Sequence, residues 1–218
     1  MKKIEFILIL FFTGLCFNGF GQLGGEGSYF WNSTSVTYAI NGKTEITLSH
    51  KDQYSNQIDH LEFFYFDLAA YHKIFNSFSL GLGLRQNASY KSGDWNPGNT
   101  YLFYGVYYIP NGNFKIRFSN RIAIRTYKIS DTQYTFDNNT TFDFFAKSKS
   151  KIPKPYLQDE IFTNLNVWKV QTVRVYVGLH VFKRPHWALD IYYCLQETRP
   201  SWVWKSYDTY GLSTKFYI

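Results

Sequence analysis

Long apolar runs are scarce in this chain of 218 residues. After the first two dozen positions none approaches the roughly 18 residues that a membrane-spanning helix requires, so no helical span is expected there. Cysteine is nearly lacking, with only Cys16 and Cys194. If processing removes the first, no intramolecular disulfide is possible. His50, His60, His72, His180 and His186 fall on separate segments without the spacing of a metal site. No serine stands in a nucleophile motif, and neither a metal nor another cofactor is expected. Helix signals are nearly missing too: no apolar set persists at three-and-four spacing, and β-forming residues dominate.

What is plentiful is aromatic side chains, 21% of the chain. The opening MKKIEFILILFFTGLCFNGFGQ has a basic start at Lys2 and Lys3, an apolar stretch from Phe6 to Phe12, and small residues around Gly19 and Gly21. That layout predicts a signal peptide over residues 1–21, cleaved between Gly21 and Gln22, followed by one domain over residues 22–218. A lipoprotein signal using Cys16 fits less well, because Leu15 stands where a small residue is usual. Loss of the peptide removes two lysines and one glutamate, taking the formal charge from +7 to +6.

The remaining chain alternates. In TVRVYVGLHVF, Val173, Val175, Val177, Leu179 and Val181 share one parity, and Arg174, Tyr176, Gly178, His180 and Phe182 the other. In FKIRFSNRIAIRTYKI, Phe114, Ile116, Phe118, Ile122 and Ile124 oppose Lys115, Arg117, Arg121 and Arg125. Such alternation predicts strands with two unlike faces. Eleven strand-like segments begin near Tyr29, Thr44, Leu61, Phe78, Tyr101, Phe114, Tyr134, Tyr156, Thr172, Trp187 and Tyr207. Compact turns such as NGK, FNS, PNGN and KRPH separate some of them. Longer connections, KSGDWNPGNT and TRPSWVWKSYD, separate others. Bacterial single-chain barrels have even strand numbers, so the expected count is ten or twelve.

An apolar face per strand fits either a soluble barrel with an apolar core or a membrane barrel with its apolar face outward. Strand length favours the membrane, since many segments exceed the roughly 9–11 residues a tilted spanning strand needs. Tyr29, Trp31, Tyr107, Tyr108, Trp187 and Tyr207 lie near strand ends, where amphipathic rings would meet headgroups. The ending YGLSTKFYI carries the alternation to Ile218 and reads as the stave that closes the barrel against the first strand. The fold expected is all-β: an antiparallel up-and-down transmembrane β-barrel of ten or twelve strands.

The segments YFWNSTSVTYAINGKTEITL, RFSNRIAIRTYK, PYLQDEIFTNL and GLSTKFYI resemble a domain-of-unknown-function family, number 2490, of predicted outer-membrane β-barrel proteins. The resemblance covers the whole mature chain. It implies fold and location and brings no established activity with it. Outer-membrane barrels of this kind most commonly end on an aromatic residue, whereas here Ile218 is last and Phe216 lies two places earlier.

With the apolar faces outward, the lumen receives Arg85, Lys115, Arg117, Arg121, Arg125 and Arg174, with Asp137, Asp143, Glu160 and Asp190. Opposite charges in a narrow interior should pair, giving a structural network or a basic constriction that attracts small anionic solutes. His180 shares the inward parity and is within reach of Ser213 or Asp190, which leaves a lipid-acting enzyme as one alternative. A secreted soluble barrel binding an apolar ligand is another. Trp202 and Trp204 are outer-loop aromatics, and Leu212, Phe216 and Ile218 form a C-terminal signal for the barrel-assembly machinery. KSKSKIPKPY, with Lys147, Lys149, Lys151 and Lys154, reads as a basic hairpin end. The expected location is the outer membrane of a Gram-negative bacterium. There the partners would be lipid and the assembly machinery, with no nucleic acid and the barrel a monomer.

Overall fold

A computed structural model describes residues 27–56, 60–91, 93–111, 114–128, 131–144, 153–199 and 203–218. The expected signal peptide, Trp202, Lys147, Lys149 and Lys151 lie outside them. The strands are β1 (Ser28–Ala39), β2 (Thr44–Ser55), β3 (His60–Phe75), β4 (Phe78–Lys91), β5 (Asp94–Asn111) and β6 (Phe114–Tyr127). They continue with β7 (Gln133–Phe144), β8 (Lys154–Asn164), β9 (Lys169–Lys183), β10 (Trp187–Thr198) and β11 (Lys205–Tyr217).

Each strand pairs antiparallel with the next, and β1 pairs in parallel with β11 to close the barrel. Eleven strands therefore replace the ten or twelve expected. An even count is required only where the closing pair is antiparallel. Here the ladder runs in parallel from Ser28↔Asp208 to Thr37↔Tyr217, with evenly spaced, slanted bonds. Ile218 is stitched to β1 as well: its amide donates to the Thr37 carbonyl at 2.9 Å, and its carbonyl accepts from the Ala39 amide at 3.1 Å.

Local chemistry sets the turns. After β1, the Asn41 Oδ1 accepts from the amides of Lys43 and Thr44, both at 2.9 Å, as asparagine does in tight hairpins. KSGDWNPGNT is not the long connection expected from sequence. Most of it is strand, because β5 starts at Asp94 and pairs with β4 through Ala88↔Pro97 and Tyr90↔Trp95. In the β8–β9 turn Trp168 adopts a φ of 53° and is largely exposed, an unusual state for a bulky residue.

The side chains sort by parity. Leu48, Leu68, Leu82, Phe103, Ile122 and Val177 are exposed on the outer wall. Asp67, Thr100, Asp137, Asp190 and Thr209 are buried inside. A register shift near Leu189 pairs Leu189 with Phe182 and Asp190 with His180. This bulge keeps His180 inward and turns Phe182 out against Trp187, with ring centroids 5.6 Å apart. Phe182 thus departs from its expected face.

The expected end-of-strand aromatics also divide. Tyr107 and Trp187 face outward, but Trp31 is fully buried inside with Tyr176 and Cys194, and Tyr29 packs against that cluster. The Tyr207 ring lies tilted against Tyr29 at 5.3 Å, and Tyr108 packs on the inner cluster of Ala69, Leu102, Tyr104, Val106 and Ala123. Strand parity outweighs nearness to a strand end.

Several inward tyrosines lie flat over a glycine of the neighbouring strand. A Cβ on Gly178 would fall 2.3 Å from the Tyr156 ring, and one on Gly211 would fall 2.0 Å from that of Tyr192. Only a missing side chain lets each ring rest against the wall, which leaves the axis of the barrel open.

Candidate functional site in the barrel lumen

All ten charged residues expected in the lumen are inward, and the strand register explains their pairing. Arg121 stands opposite Asp137 across β6 and β7. Its Nη2 and Nε both donate to Asp137 Oδ2, at 2.6 and 2.9 Å, with Arg125 3.9 Å from the same oxygen. Arg85 stands opposite Asp67 and donates to it at 2.7 Å, while its guanidinium covers Tyr65 at 3.9 Å. Lys115 lies over Tyr108, and Arg117 reaches Thr141.

A second group spans β1, β2, β8, β9 and β10. Arg174 donates to Glu160 at 3.1 Å and to Gln196 at 2.7 Å, and the Tyr176 hydroxyl donates to Glu160 at 2.9 Å. The guanidinium lies 4.8 Å from the Trp31 ring and 4.7 Å from Phe162. The Lys51 ammonium sits 3.3 Å over Trp31. Aromatic faces thus hold cations that have fewer carboxylates than they need.

The third group spans the end of the barrel at which β11 ends. His180 Nδ1 meets Asp190 Oδ1 at 2.7 Å, and its Nε2 meets Asp143 Oδ1 at 3.2 Å. Lys215 donates to Asp190 Oδ2 at 2.7 Å, and the Tyr156 ring stacks on the imidazole at 4.7 Å. Both ring nitrogens therefore face carboxylates, and neither is set on the Ser213 hydroxyl. This is the geometry of a strut joining β7, β9 and β10.

A cavity of about 530 Å³ occupies the lumen. Its lining carries six cations (Lys51, Arg85, Arg121, Arg125, Arg174, Lys215) against three carboxylates (Glu62, Glu160, Asp190). Asp67 and Asp137 are tucked behind their arginines, outside that lining, so the surface offered to a solute is basic. The lining runs from Phe63 and Tyr127, near the mouth at which β1 begins, down to Tyr156 and Lys215. It stops short of Tyr71, Tyr108, Asp143 and His180.

Sequence reasoning left Lys51, Asp67 and Trp31 out of the lumen set. Parity contained the signal for Asp67, which stands between the outward Phe66 and Leu68. On β2 the contrast is blurred, because His50 and Asp52 occupy the face that is apolar elsewhere. Of the remaining expected residues, Trp204 is exposed with Arg199 5.9 Å from its ring. Phe216 and Ile218 are exposed, and Leu212 shares their outward parity.

The fold and its interior define a closed β-barrel with a charged, predominantly basic lumen and an apolar outer wall. The chain belongs to the family described as protein of unknown function (DUF2490), whose model matches residues 29–204. No curated protein matches it.

Proposed function

We propose that the protein is an outer-membrane β-barrel whose basic lumen admits small anionic solutes. The observation that carries this reading is the inverted polarity of the wall. Leu82, Leu68, Leu48 and Val177 expose more than half of their surface outward, while buried ion pairs occupy the interior. A barrel storing an apolar ligand in water would have the opposite arrangement. Lipid is the environment in which such a wall costs nothing and a closed ladder leaves no backbone group unpaired. Strands of 11 to 18 residues are long enough to cross, the spanning minimum being about 9–11. The expected signal peptide would deliver the chain to that membrane, and the outward set of Leu212, Phe216 and Ile218 is what the assembly machinery would read.

Full-length protein expressed in a Gram-negative host should appear in the outer-membrane fraction and change gel mobility on boiling. Reconstituted in planar bilayers, it should conduct chloride in preference to potassium. Replacing Lys51 and Arg125 together with glutamine should move that preference toward unity, because both line the cavity and neither anchors the closest ion pairs. Recovery of the protein in the soluble fraction without a boiling shift would overturn the membrane reading. A cation preference in the unaltered barrel would overturn the anion reading alone.

The strut at the end where β11 finishes narrows the passage. Replacing His180 with alanine removes the bridge between Asp143 and Asp190 and should raise single-channel conductance about twofold. Unchanged conductance would mean that the narrowest point lies elsewhere.

A further inference from the structure

The outer wall is not uniformly apolar, and the exception crosses the parallel seam. Reading across β2, β1 and β11, the register places Tyr54, Phe30 and Tyr210 in one outward row and Leu48, Val36 and Phe216 in another. Between these apolar rows lie two that are largely polar: Asp52, Asn32 and Leu212, then His50, Thr34 and Thr214. The polar band is therefore at mid-height, not at a rim. Asn32 is the fifth residue of the twelve in β1, and Thr34 the seventh.

Its parts differ in how well they are satisfied. His50 is closed off: Nε2 meets Asp52 at 2.9 Å, Nδ1 meets the Tyr65 carbonyl at 2.9 Å, and the ring stacks on Phe66. Among the described residues, the Asn32 side-chain carboxamide and the hydroxyls of Thr34 and Thr214 have no hydrogen-bond partner. A second outward polar cluster lies on β6, β7 and β8, and it is self-contained. Asn138 donates to Asn120 at 2.6 Å, and Asp159 accepts from the Thr140 amide at 2.9 Å. Gln86 and Asn99 are also exposed and outward, but they stand opposite each other across β4 and β5, carboxamide to carboxamide. At the seam Asn32 stands opposite Leu212 and Asp52, and Asp52 is already held by His50.

We propose that the β2–β1–β11 face is the interface of a two-fold dimer of this chain in the membrane, in place of the monomer expected from sequence. This rests on the membrane reading above. In water an unpaired carboxamide is solvated, but in hydrocarbon it needs a partner at the same depth. A second copy related by a two-fold axis along the membrane normal supplies one by construction. It brings Asn32 to Asn32 at identical height. The carboxamide carries both donor and acceptor, so the two can form a reciprocal pair. The hydroxyls of Thr34 and Thr214 lie in the next row. The apolar rows on either side exclude lipid, as the rim of an interface excludes solvent.

The test uses full-length protein carrying Cys194→Ser, oxidised in isolated outer membranes. Asn32→Cys should give a disulfide-linked dimer on a non-reducing gel, and so should Thr34→Cys, which serves if the first variant folds poorly. Asn120→Cys and Leu82→Cys, outward on other faces, should remain monomeric. Adding Asn32→Leu to Thr34→Cys should lower the cross-linked fraction about tenfold, the scale of a hydrogen bond within a membrane. Boiling-dependent mobility of the same samples reports insertion separately. A barrel that shifts on boiling but stays monomeric at both 32 and 34 overturns the dimer and leaves the membrane reading standing. Equal cross-linking at 120 or 82 also overturns it, as random collision. Absence of the shift removes both proposals.

Discussion

Replacing Asp137 with leucine will destabilise the barrel by about 3–5 kcal/mol, the usual effect of removing one partner from a buried ion pair. The carboxylate is 2% exposed and serves two arginines through a single oxygen, Arg121 at 2.6 Å and Arg125 at 3.9 Å. Without it, two guanidinium groups on β6 face the lumen with no counter-charge in place. Urea unfolding in lipid vesicles, followed by the loss of boiling-sensitive mobility, would measure the change. The double variant Arg121→Leu, Asp137→Leu should recover much of the loss, because the two residues act as a unit and their effects are not additive. If the single variant lost less than about 1 kcal/mol, the pair would be no more than a surface bridge.

The second large effect is expected at the glycines beneath the tyrosine rings. Gly178→Val together with Gly211→Val should cost about 1–3 kcal/mol through overpacking, and should also reduce conductance. The contacts that a new Cβ would make are with the outer atoms of Tyr156 and Tyr192. The backbone can therefore stay in place, and the rings must swing toward the axis. Tyr192 and Tyr156 line the cavity, so displacing them fills it. Tyr156 would also leave His180, on which it stacks. Adding Tyr192→Ala and Tyr156→Ala to the valine pair should restore conductance. Valine variants that conduct normally would show that the rings do not define the open cross-section.

These effects turn on side chains whose placement was unevenly legible in the sequence. Strand β9 could be read almost completely, because valines alternate with Arg174, Tyr176 and His180, and only the bulge that turns Phe182 outward was hidden. Register decides such a bulge, and register depends on the partner strand. The charged lumen set followed from parity on β6, where four cations share one face. Lys51 did not, since its neighbours His50 and Asp52 erase the contrast on β2. Trp31 is not legible as a lumen residue, because an aromatic near a strand end suits an interface equally well by position. Its burial depends on Arg174 and Lys51 arriving from other strands. Eleven segments are visible in the alternation, and their starts match the strands within about three residues except at β5, which begins at Asp94 and not near Tyr101. The even number was imposed by a general rule about antiparallel closure, which the parallel β1–β11 ladder does not obey.

That ladder has a consequence for the direction of the chain. A polypeptide that traverses a wall an odd number of times enters at one rim and leaves at the other. Ser28 and Ile218 are hydrogen-bonded into the same seam yet point to opposite mouths. In a sealed vesicle, an impermeant label on one would be accessible when the same label on the other was protected. The seam also joins residues about 180 positions apart, so its loop-closure entropy is the largest of any pairing in the molecule. Closing this circle is the step at which assembly would stall first.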